Sequence, residues 1–464
     1  MSNKKVIIRK ENLGMLIWSP ILDAYFLTND DIYEDMESII ESISNSNLID
    51  NSKESFDKTL ISDLRTLGID NGINVIDNSL TDRLSAPLDV YFDYTHSCNL
   101  RCSYCYNVDV DRNVTMSDDA IIKVLSELSK NGVMRTHLAG GEPMINPERF
   151  ETYLKTAEAV GMNASVNCNG TLVTERCLNA VFDYGVITLT FSLDGNNAKS
   201  NDYYRGRGNF EKVRNNARKT AEKKDLKGTG PKIQYKAVHM FDTPLDVYEG
   251  LIKIAIEDGM NRVQFHNPEC SINHNQNHYG KSDVIEGYYE RIQHLMNLQE
   301  RYSGQIEIWN VWNPITGCSD IGLPGFHGCI GGQELIAIDA NGNIKPCLMN
   351  KYYLGNLFTD WNGNFNEFWN KSEKLANYQS LADKVDSHCE PCNIYSQCRG
   401  GRKTRIITQN RDGSSTNPIK LEDMVGYDPY CTMDFINLHP EIILPQKREY
   451  RLNHFKRINI AHSL

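Results

Sequence analysis

Three cysteines with close, regular spacing are the residues of this chain best suited to do chemistry. Cys98, Cys102 and Cys105 are separated by three and then two residues, and Tyr104 directly precedes the last of them. Three thiolates on one short loop can bind three irons of a cubic [4Fe–4S] cluster, which leaves the fourth iron without a protein ligand. Because a structural zinc site normally takes four ligands in two pairs, the spacing favours a cluster over zinc. An iron without a protein ligand can bind another molecule, so we expect a catalytic cluster.

The bulk composition is that of a soluble protein with several cores. The chain has 464 residues, of which 40% are hydrophobic, and its formal net charge is −11. The length suggests two to four domains. We find neither a long apolar run nor a signal peptide, so we expect a cytoplasmic protein that spans no membrane. In that compartment 13 cysteines indicate metal or redox chemistry, and the acidic charge argues against nucleic acid as the main partner.

The central part of the chain, from residue 85 to 310, alternates strands and helices. We predict strands at 88–92, 133–138, 164–168, 187–193, 232–240 and 262–266, and helices at 118–130, 147–160, 174–184, 209–223 and 243–259. Six strand–helix units predict an α/β fold with a parallel sheet curled into a partial (β/α)6, TIM-like barrel. Active sites in such folds lie at the carboxyl ends of the strands. The cysteine loop follows the first of these strands.

The cysteine loop resembles the C-x3-C-x-aromatic-C signature of the radical SAM family. In that family the open iron binds the amino and carboxylate groups of S-adenosylmethionine (SAM), whose reductive cleavage yields a 5′-deoxyadenosyl radical. The resemblance implies one [4Fe–4S] cluster on the three cysteines, SAM beside Tyr104, and an external electron donor such as flavodoxin or ferredoxin. The chemistry would then belong to the cofactor, while the protein aims and shields it.

Further residues at strand ends resemble the SAM-binding motifs of that family. Gly140, Gly141, Glu142 and Pro143 follow the second strand and match a G-G-E-P motif, whose backbone and glutamate contact the SAM amino group. Paired glycines would let the backbone approach a ligand closely. The resemblance also assigns SAM contacts after the third and fourth strands, with the ribose hydroxyls given to the serine and aspartate and the carboxylate to the arginine: Asn169, Ser192, Asp194 and Arg205, with Arg207 as an alternative.

Two more groups of polar residues could face SAM or substrate, or their hydrogen bonds could simply be satisfied inside the barrel. Gln234 and Lys236 alternate along the fifth strand, and His266, Asn267 and Glu269 follow the sixth. Cys168 and Cys177 we expect to be buried core thiols.

The remaining cysteines resemble the SPASM extension of radical SAM enzymes. The pattern runs through Cys318, Cys329, Cys347, Cys389, Cys392, Cys398 and Cys431. We assign residues 311–440 to this domain, and 441–464 to a C-terminal tail. By correspondence with the family, Cys389, Cys392, Cys398 and Cys431 would bind one auxiliary [4Fe–4S] cluster, and Cys318, Cys329 and Cys347 another, for three clusters in all. From its Gly, Pro, Asn and Cys content we expect this region to be held together by metal and not by a large apolar core.

One position departs from the SPASM pattern. Arg402 stands where the family usually has another cysteine, and a guanidinium offers iron no lone pair. The auxiliary cluster on Cys318, Cys329 and Cys347 would then keep an open iron, to which a substrate thiolate could bind. Cys270 as a replacement ligand and a passive electron-transfer cluster remain the alternatives.

Residues 1–84 predict a separate module of strands followed by two amphipathic helices, at 32–43 and 56–67. The module resembles the winged-helix element that binds leader peptides on enzymes that modify ribosomally made peptides; a small α+β decoration is the alternative. Together these features predict a peptide maturase that forms a thioether, of the sactipeptide or ranthipeptide type. A carbon–carbon cross-link, decarboxylation or other oxidation of a peptide residue, a sulfatase-type maturase and a non-catalytic scaffold remain alternatives.

Overall fold

The computed structural model describes residues 4–12, 14–28, 33–46, 58–77, 83–239, 243–266, 282–309, 328–384, 386–392, 395–410, 417–428, 431 and 455–458. Asn267, Glu269, Cys270 and Cys318 therefore lie outside the described residues. No helix in the described ranges is long and apolar enough to cross a membrane.

The N-terminal module is a five-stranded sheet with two helices on one face. Its elements are β1 (Val6–Glu11), β2 (Gly14–Ser19), β3 (Ala24–Thr28), α1 (Tyr33–Ser46), α2 (Lys58–Leu67), β4 (Ile73–Ile76) and β15 (Phe455–Ile458). The strand order is β15-β3-β2-β1-β4, and only the β1–β4 pair is parallel. The fifth strand was not predicted, since it comes from the segment we interpreted as a tail and pairs with β3.

Both faces of this sheet are buried because apolar residues occupy successive positions of its strands. Ile8, Ile17 and Phe26 pack against α1 and α2, while Trp18 and Tyr25 pack on the opposite face against residues such as Leu88 and Met134 of the central domain.

A buried ion pair fixes the module to the base of the central domain. Arg9, 1% exposed, donates to Glu11 and to the carbonyl oxygens of Ala86 and Gly132 at 2.6–3.1 Å. Glu11 in turn accepts from the backbone and hydroxyl of Ser85, both at 2.8 Å. A buried pair whose hydrogen bonds are satisfied in this way sets one orientation of the two parts.

The central domain is a parallel sheet whose strands follow each other in chain order. Its strands are β5 (Asp89–Phe92), β6 (Arg135–Leu138), β7 (Asn163–Cys168), β8 (Thr188–Ser192), β9 (Lys232–Val238), β10 (Arg262–His266) and β11 (Glu307–Trp309). The helices are α3 (Asp118–Lys130), α4 (Pro147–Ala159), α5 (Glu175–Asp183), α6 (Ala198–Arg205), α7 (Asn209–Lys227), α8 (Leu245–Glu257) and α9 (Ser282–Arg301). All neighbouring pairs are parallel, so the carboxyl ends of the strands share one edge. The α/β class is confirmed. The pairing of the described strands leaves the sheet open and gives it a seventh strand, β11.

The C-terminal region continues the same sheet. β12 (Leu335–Ile338) pairs in parallel with β5, and β13 (Asn343–Lys345) and β14 (Gly355–Asn356) follow it as antiparallel strands. The turn between β12 and β13 uses Gly342, whose φ is +82°. Four helices complete the region: α10 (Phe365–Lys371), α11 (Glu373–Gln379), α12 (Tyr395–Cys398) and α13 (Lys403–Asn410).

The expectation that this region lacks a substantial apolar core was wrong. Phe365, Phe368 and Trp369 of α10 are fully buried in one cluster that also contains α3 of the central domain, and the indole of Trp369 donates to Leu84 O at 2.6 Å. The aromatic residues of a short helix are enough because they extend an existing core and need not build their own.

Two aspartates at opposite ends of β5 have opposite electrostatic environments. Burial alone would raise the pKa of Asp89, but Arg135 and His137, at 3.5 and 3.2 Å, outweigh it and hold that pKa below its usual value. Burial raises the pKa of Asp93 to about 7, with Lys345 opposing the shift and Asp339 adding to it. Its Oδ1 has no hydrogen-bond partner within the described part of the chain.

Substitution of these aspartates should therefore give opposite results. Ionised Asp93 costs the folded state stability as the pH rises from about 4 to 7. We expect Asp93→Asn to be neutral near pH 4 and to gain up to about 4 kcal/mol by pH 8. Asp89→Asn is the matched control and should lose about 3 kcal/mol across pH 5–8, because it removes the nearer of the two carboxylates of buried Arg135 and leaves only Asp23, at 3.9 Å. Urea unfolding at four pH values measures both, and a pH-independent effect of Asp93→Asn would contradict the assignment.

Candidate active site

A pocket with a water-accessible volume of about 190 Å³, partly open to solvent, lies at the carboxyl edge of the parallel sheet. All three cysteines of the predicted cluster loop line it, and so do six of the residues predicted to contact SAM: Tyr104, Gly140, Gly141, Asn169, Ser192 and Arg205. Lys236 and His266 also reach the wall. Glu142, Pro143 and Asp194 do not; they lie behind it.

The cysteine loop is held on the sheet by backbone contacts with the two glycines after β6. The amides of Gly141 and Glu142 donate to the carbonyl oxygens of Thr95 and Ser97 at 2.9 and 2.7 Å. A Cβ on Gly141 would lie 2.1 Å from Ser97 O, and one on Gly140, where φ is +105°, would lie 2.7 Å from Thr95 O. Glycine is thus required at both positions because the backbone after β6 approaches the cysteine loop closely. We had predicted instead that the glycines allow the backbone to approach a ligand.

Glu142 is buried and connects its own segment, which follows β6, with the cysteine loop and with the end of β7. Its carboxylate accepts from the amides of Met144, at 3.0 Å, and Asn169, at 2.7 Å. Burial raises its pKa to about 7, although both amides oppose that shift. The side chain of Asn169 continues to Asn99 of the cysteine loop at 2.8 Å. The structure therefore gives Glu142 a positioning role, and its predicted contact with the SAM amino group stays a prediction.

Asp194 and Arg205 form a buried pair on the opposite side of the pocket. The guanidinium donates to both carboxylate oxygens, at 2.6 and 3.1 Å, and lies over the ring of Tyr104 at 5.5 Å. Asp194 also accepts from the Tyr104 hydroxyl and from the Val238 amide. Ser192 Oγ donates to Cys168 O at 3.1 Å. The predicted ribose and carboxylate contacts of these residues stay predictions.

The other predicted residues lie either inside the protein or at its surface. Gln234 is buried and bonds Thr190 at 2.8 Å inside the sheet, away from the pocket wall. Arg207 is exposed. Cys168 and Cys177 are buried core thiols, as predicted, although Cys168 also reaches the pocket.

The surroundings of Cys98, Cys102 and Cys105 suit cluster ligands better than they suit free thiols. Burial raises the pKa of Cys102 to about 11 and also raises that of Cys98, and the neighbouring thiols add to both shifts. None of the three forms a disulfide. Three thiols that line one pocket become thiolates readily only when a cation binds them, so the donor set suits the iron–sulfur cluster that the sequence predicts.

Among the described cysteines of the SPASM pattern, Cys347 packs against Tyr91 and Ala139 of the pocket wall. Tyr378 lies close to Cys329 and Cys347, and Cys389 lies close to Cys392 and Cys398. Cys431 donates its amide to Asp428 O at 2.8 Å. Across the described ranges, no three His, Cys, Asp or Glu side chains are close enough to hold a single metal ion. A cubane keeps its ligands farther apart than one ion does, so the auxiliary clusters stay predictions.

Sequence reasoning missed several residues of the pocket. Tyr91 and Tyr106 come from β5 and the cysteine loop, Leu348 and Met349 from the C-terminal region, and Arg402 directly precedes α13. Tyr91 and Tyr106 could have been predicted from the sequence, because aromatic residues flank the cysteine loop. The position of Arg402 in the pocket could not, because it depends on how the C-terminal region packs.

An open parallel sheet with a three-cysteine loop at its carboxyl edge is the arrangement of radical SAM enzymes, and comparison with family models agrees. Residues 93–229 match the radical SAM superfamily, and residues 329–398 match SPASM, an iron–sulfur cluster-binding domain. Residues 93–229 therefore form a radical SAM domain, and residues 329–398 form a SPASM domain.

Relatives of known name cover most of the chain at low identity. The PqqA peptide cyclase of Methylorubrum extorquens is 24% identical over 356 residues, 73% of this chain and 86% of that protein. The mycofactocin maturase MftC of Mycolicibacterium smegmatis is 24% identical over 328 residues, 68% of this chain and 78% of that protein.

Solved structures share the fold. SuiB of Streptococcus suis bound to its precursor peptide SuiA superposes with a TM-score of 0.66 at 16% identity, covering 93% of this chain and 99% of that one. The AdoMet-bound enzyme anSMEcpe gives 0.57 at 20% identity, covering 76% and 97%. Because SuiB is matched almost completely, the fold similarity extends beyond the two domains that the family models cover.

The glycine contact generates a sharp test of the site. Gly141→Ala should push the cysteine loop away from β6, since the added methyl group would overlap Ser97 O. Misplacing the loop by about 1 Å should lower SAM cleavage about a hundredfold, and bound iron should fall with it. Gly304→Ala is the control, because nothing lies within 4 Å of its Cβ and its left-handed backbone should cost only about 1 kcal/mol. Full iron content and full activity in Gly141→Ala would refute the role of the contact.

Proposed function

We propose that this enzyme is a maturase that modifies a ribosomally made precursor peptide by radical chemistry. The observation that carries the proposal is the convergence of Cys98, Cys102 and Cys105 with the ends of β6, β7, β8 and β9 on one pocket. The precursor-peptide complex of SuiB and the names of the cyclase and maturase relatives support a peptide substrate.

The cofactors of the proposal are SAM and three [4Fe–4S] clusters, with flavodoxin or ferredoxin as electron donor. Cys98, Cys102 and Cys105 would hold the SAM-binding cluster. When bound, these groups supply a 5′-deoxyadenosyl radical and an acceptor for the electron that the reaction releases. A cytoplasmic location accords with the reduced thiols that such clusters need.

The chain's own residues orient SAM and shield the radical. Gly140 and Gly141 hold the cysteine loop in place, and Asn169 ties it to β7. Ser192, Tyr104 and Arg205 would contact SAM from the pocket wall, with Asp194 fixing the arginine by two hydrogen bonds. The buried apolar side chains of the wall exclude water from the reacting carbon.

The N-terminal module is proposed to bind the leader segment of the precursor. Its sheet lies directly against the central domain through Arg9 and Tyr25, whose hydroxyl donates to Leu88 O at 2.7 Å. A leader held there would be kept in a fixed relation to the pocket.

The proposed product is a thioether between a cysteine sulfur and a carbon of the peptide. Forming it removes one hydrogen atom from carbon, taken by the radical, and one proton and one electron from the thiol. Cys318, Cys329 and Cys347 would hold an auxiliary cluster with an open iron for that thiolate, because Arg402 replaces the usual fourth cysteine. Cys389, Cys392, Cys398 and Cys431 would complete the other cluster. Other oxidations of the peptide, including carbon–carbon bond formation, are the second candidate, and the name peptide cyclase of a relative is compatible with either bond.

Reduction of the anaerobically reconstituted enzyme with SAM tests the proposal. We expect 5′-deoxyadenosine from the wild type and none from a variant with Cys98, Cys102 and Cys105 all replaced by alanine. The peptide encoded beside the gene should lose two mass units per bond formed. Absence of 5′-deoxyadenosine from fully iron-loaded enzyme would disprove the radical chemistry, and an unchanged peptide mass would disprove this peptide as the substrate.

The open iron has its own test. Arg402→Cys should restore a fourth ligand and stop thioether formation, while 5′-deoxyadenosine is still made. Arg402→Ser is the matched control, because it also removes the guanidinium but is a poor ligand for iron. Added cysteine-containing peptide should change the electron paramagnetic resonance signal of the auxiliary cluster in the serine variant and leave it unchanged in the cysteine variant. Equal responses of the two variants would remove the open-site proposal.

A further inference from the structure

Three tyrosine rings form a chain of contacts from the protein surface to the cysteine loop. Tyr203, on α6, is 80% exposed, and its ring meets that of Tyr204 edge-on, with the two centroids 4.8 Å apart. The ring of Tyr204 lies 6.2 Å from that of Tyr104, which lines the pocket with Cys102 and Cys105 on either side in the sequence. Single exposed apolar residues are common on protein surfaces, but Tyr203 is the outer end of an aromatic path to the cysteine loop.

The last turn of α6 packs directly on that loop. The amide of Ser103 donates to the carbonyl oxygen of Tyr204 at 3.1 Å, and the guanidinium of Arg205 lies 5.5 Å from the centre of the Tyr104 ring. A partner protein that contacts Tyr203 would therefore reach the cysteine loop through only two further rings. Because electron transfer through protein slows steeply with distance, this is a suitable route for an electron from outside.

The exposed charges of this surface have one sign. Within residues 97–105 and 197–208, the exposed charged side chains are cations: Arg101, Lys199 and Arg207. Lys199 lies one helical turn before Tyr203 on α6, so the two share a face of that helix. The carboxylate of Asp202 is turned to the amides of Gly208 and Phe210, from which it accepts at 2.6 and 2.9 Å. Since the whole chain has a net charge of −11, this local excess of cations favours an acidic partner.

We propose that the surface around Tyr203 and Lys199 is the docking site of a flavodoxin-type electron donor, an acidic protein whose flavin has one exposed edge. The planar, apolar edge of the flavin would pack on the exposed tyrosine ring, and acidic residues of the donor would face Lys199. The reduced flavin loses one electron, and the cluster predicted on the cysteine loop gains it. No bond forms or breaks in this step, and the tyrosines are neither oxidised nor reduced.

This inference rests on the proposed function, because it assumes a cluster on the loop of Cys98, Cys102 and Cys105. It adds the surface at which the electron arrives and the chemical class of the protein that delivers it.

Binding of a purified bacterial flavodoxin to the anaerobically reconstituted, SAM-loaded enzyme tests the docking surface. The Kd is measured by biolayer interferometry at low and at high salt. We expect Lys199→Glu to weaken binding about fivefold at low salt and much less at high salt, because salt screens exposed charges. Lys155→Glu makes the same change of charge at an exposed position of α4. It is the matched control and should bind flavodoxin as the wild type does.

The role of the tyrosine is tested by a comparison of two reductants. Tyr203→Ala should lower the formation of 5′-deoxyadenosine about tenfold when reduced flavodoxin is the donor, as loss of an aromatic anchor of an interface does. The same variant should react at the wild-type rate with dithionite, a small reductant that needs no docking surface. Tyr203→Phe keeps the ring and should keep the wild-type rate with both reductants.

Each outcome decides the proposal. It would be overturned if the wild type did not bind flavodoxin, if Lys199→Glu and Lys155→Glu weakened binding equally, or if Tyr203→Ala lost activity with dithionite as well. Binding of an acidic ferredoxin in place of flavodoxin would rule out the flavin donor as the occupant. A wild type that makes no 5′-deoxyadenosine with dithionite would show a failure of the proposed radical chemistry, and the Kd values would still decide the docking surface.

Discussion

The site depends on the close approach of two backbones, that of Gly140 and Gly141 after β6 and that of residues 95–97 after β5. A side chain at either glycine would separate the segments, since its Cβ would fall 2.1 to 2.7 Å from a carbonyl oxygen. With hydrogen bonds of 2.7 and 2.9 Å between them, the loop that carries Cys98, Cys102 and Cys105 is fixed to a rigid strand. Three thiols can then be presented to one cluster at constant geometry, which a free loop could not do.

The parallel topology supplies the rest of the pocket. Because β5 to β11 follow each other in order, every strand end reaches one edge, and curvature of the open sheet brings β10 toward β5. The C-terminal region closes part of the remaining gap with Leu348, Met349 and Arg402. It can do so because β12 extends the same sheet beside β5 and α10 shares its core, so the C-terminal region and the pocket form one structural unit.

The sequence predicted those features that depend on local pattern. The bounds of α3 and β10 were predicted without error, since capping by Ser117 and an apolar alternation are local signals. The pairing of β15 with β3 and the approach of Arg402 to the pocket depend on contacts between distant segments, which periodicity does not encode. The core around Trp369 was missed because the Asn and Gly residues just before and within α10, such as Asn362, Gly363 and Asn366, resemble a loop composition. The cysteine loop was readable because its ligands lie within eight residues of each other.

The acidic and basic residues of the strand ends have separate tasks. Glu142 and Asp194 both turn behind the wall, where they accept from the amides of Asn169 and Val238 on neighbouring segments. The carboxylates therefore join adjacent strand ends, and the described residues that line the pocket are cationic, neutral polar or apolar. That division suits the predicted occupants of the pocket, which are a cluster with thiolate ligands and the carboxylate of SAM. An aspartate or glutamate at the wall would repel these anions in a low-dielectric pocket, so the same buried acids that hold the strand ends together also keep the site open to anionic ligands.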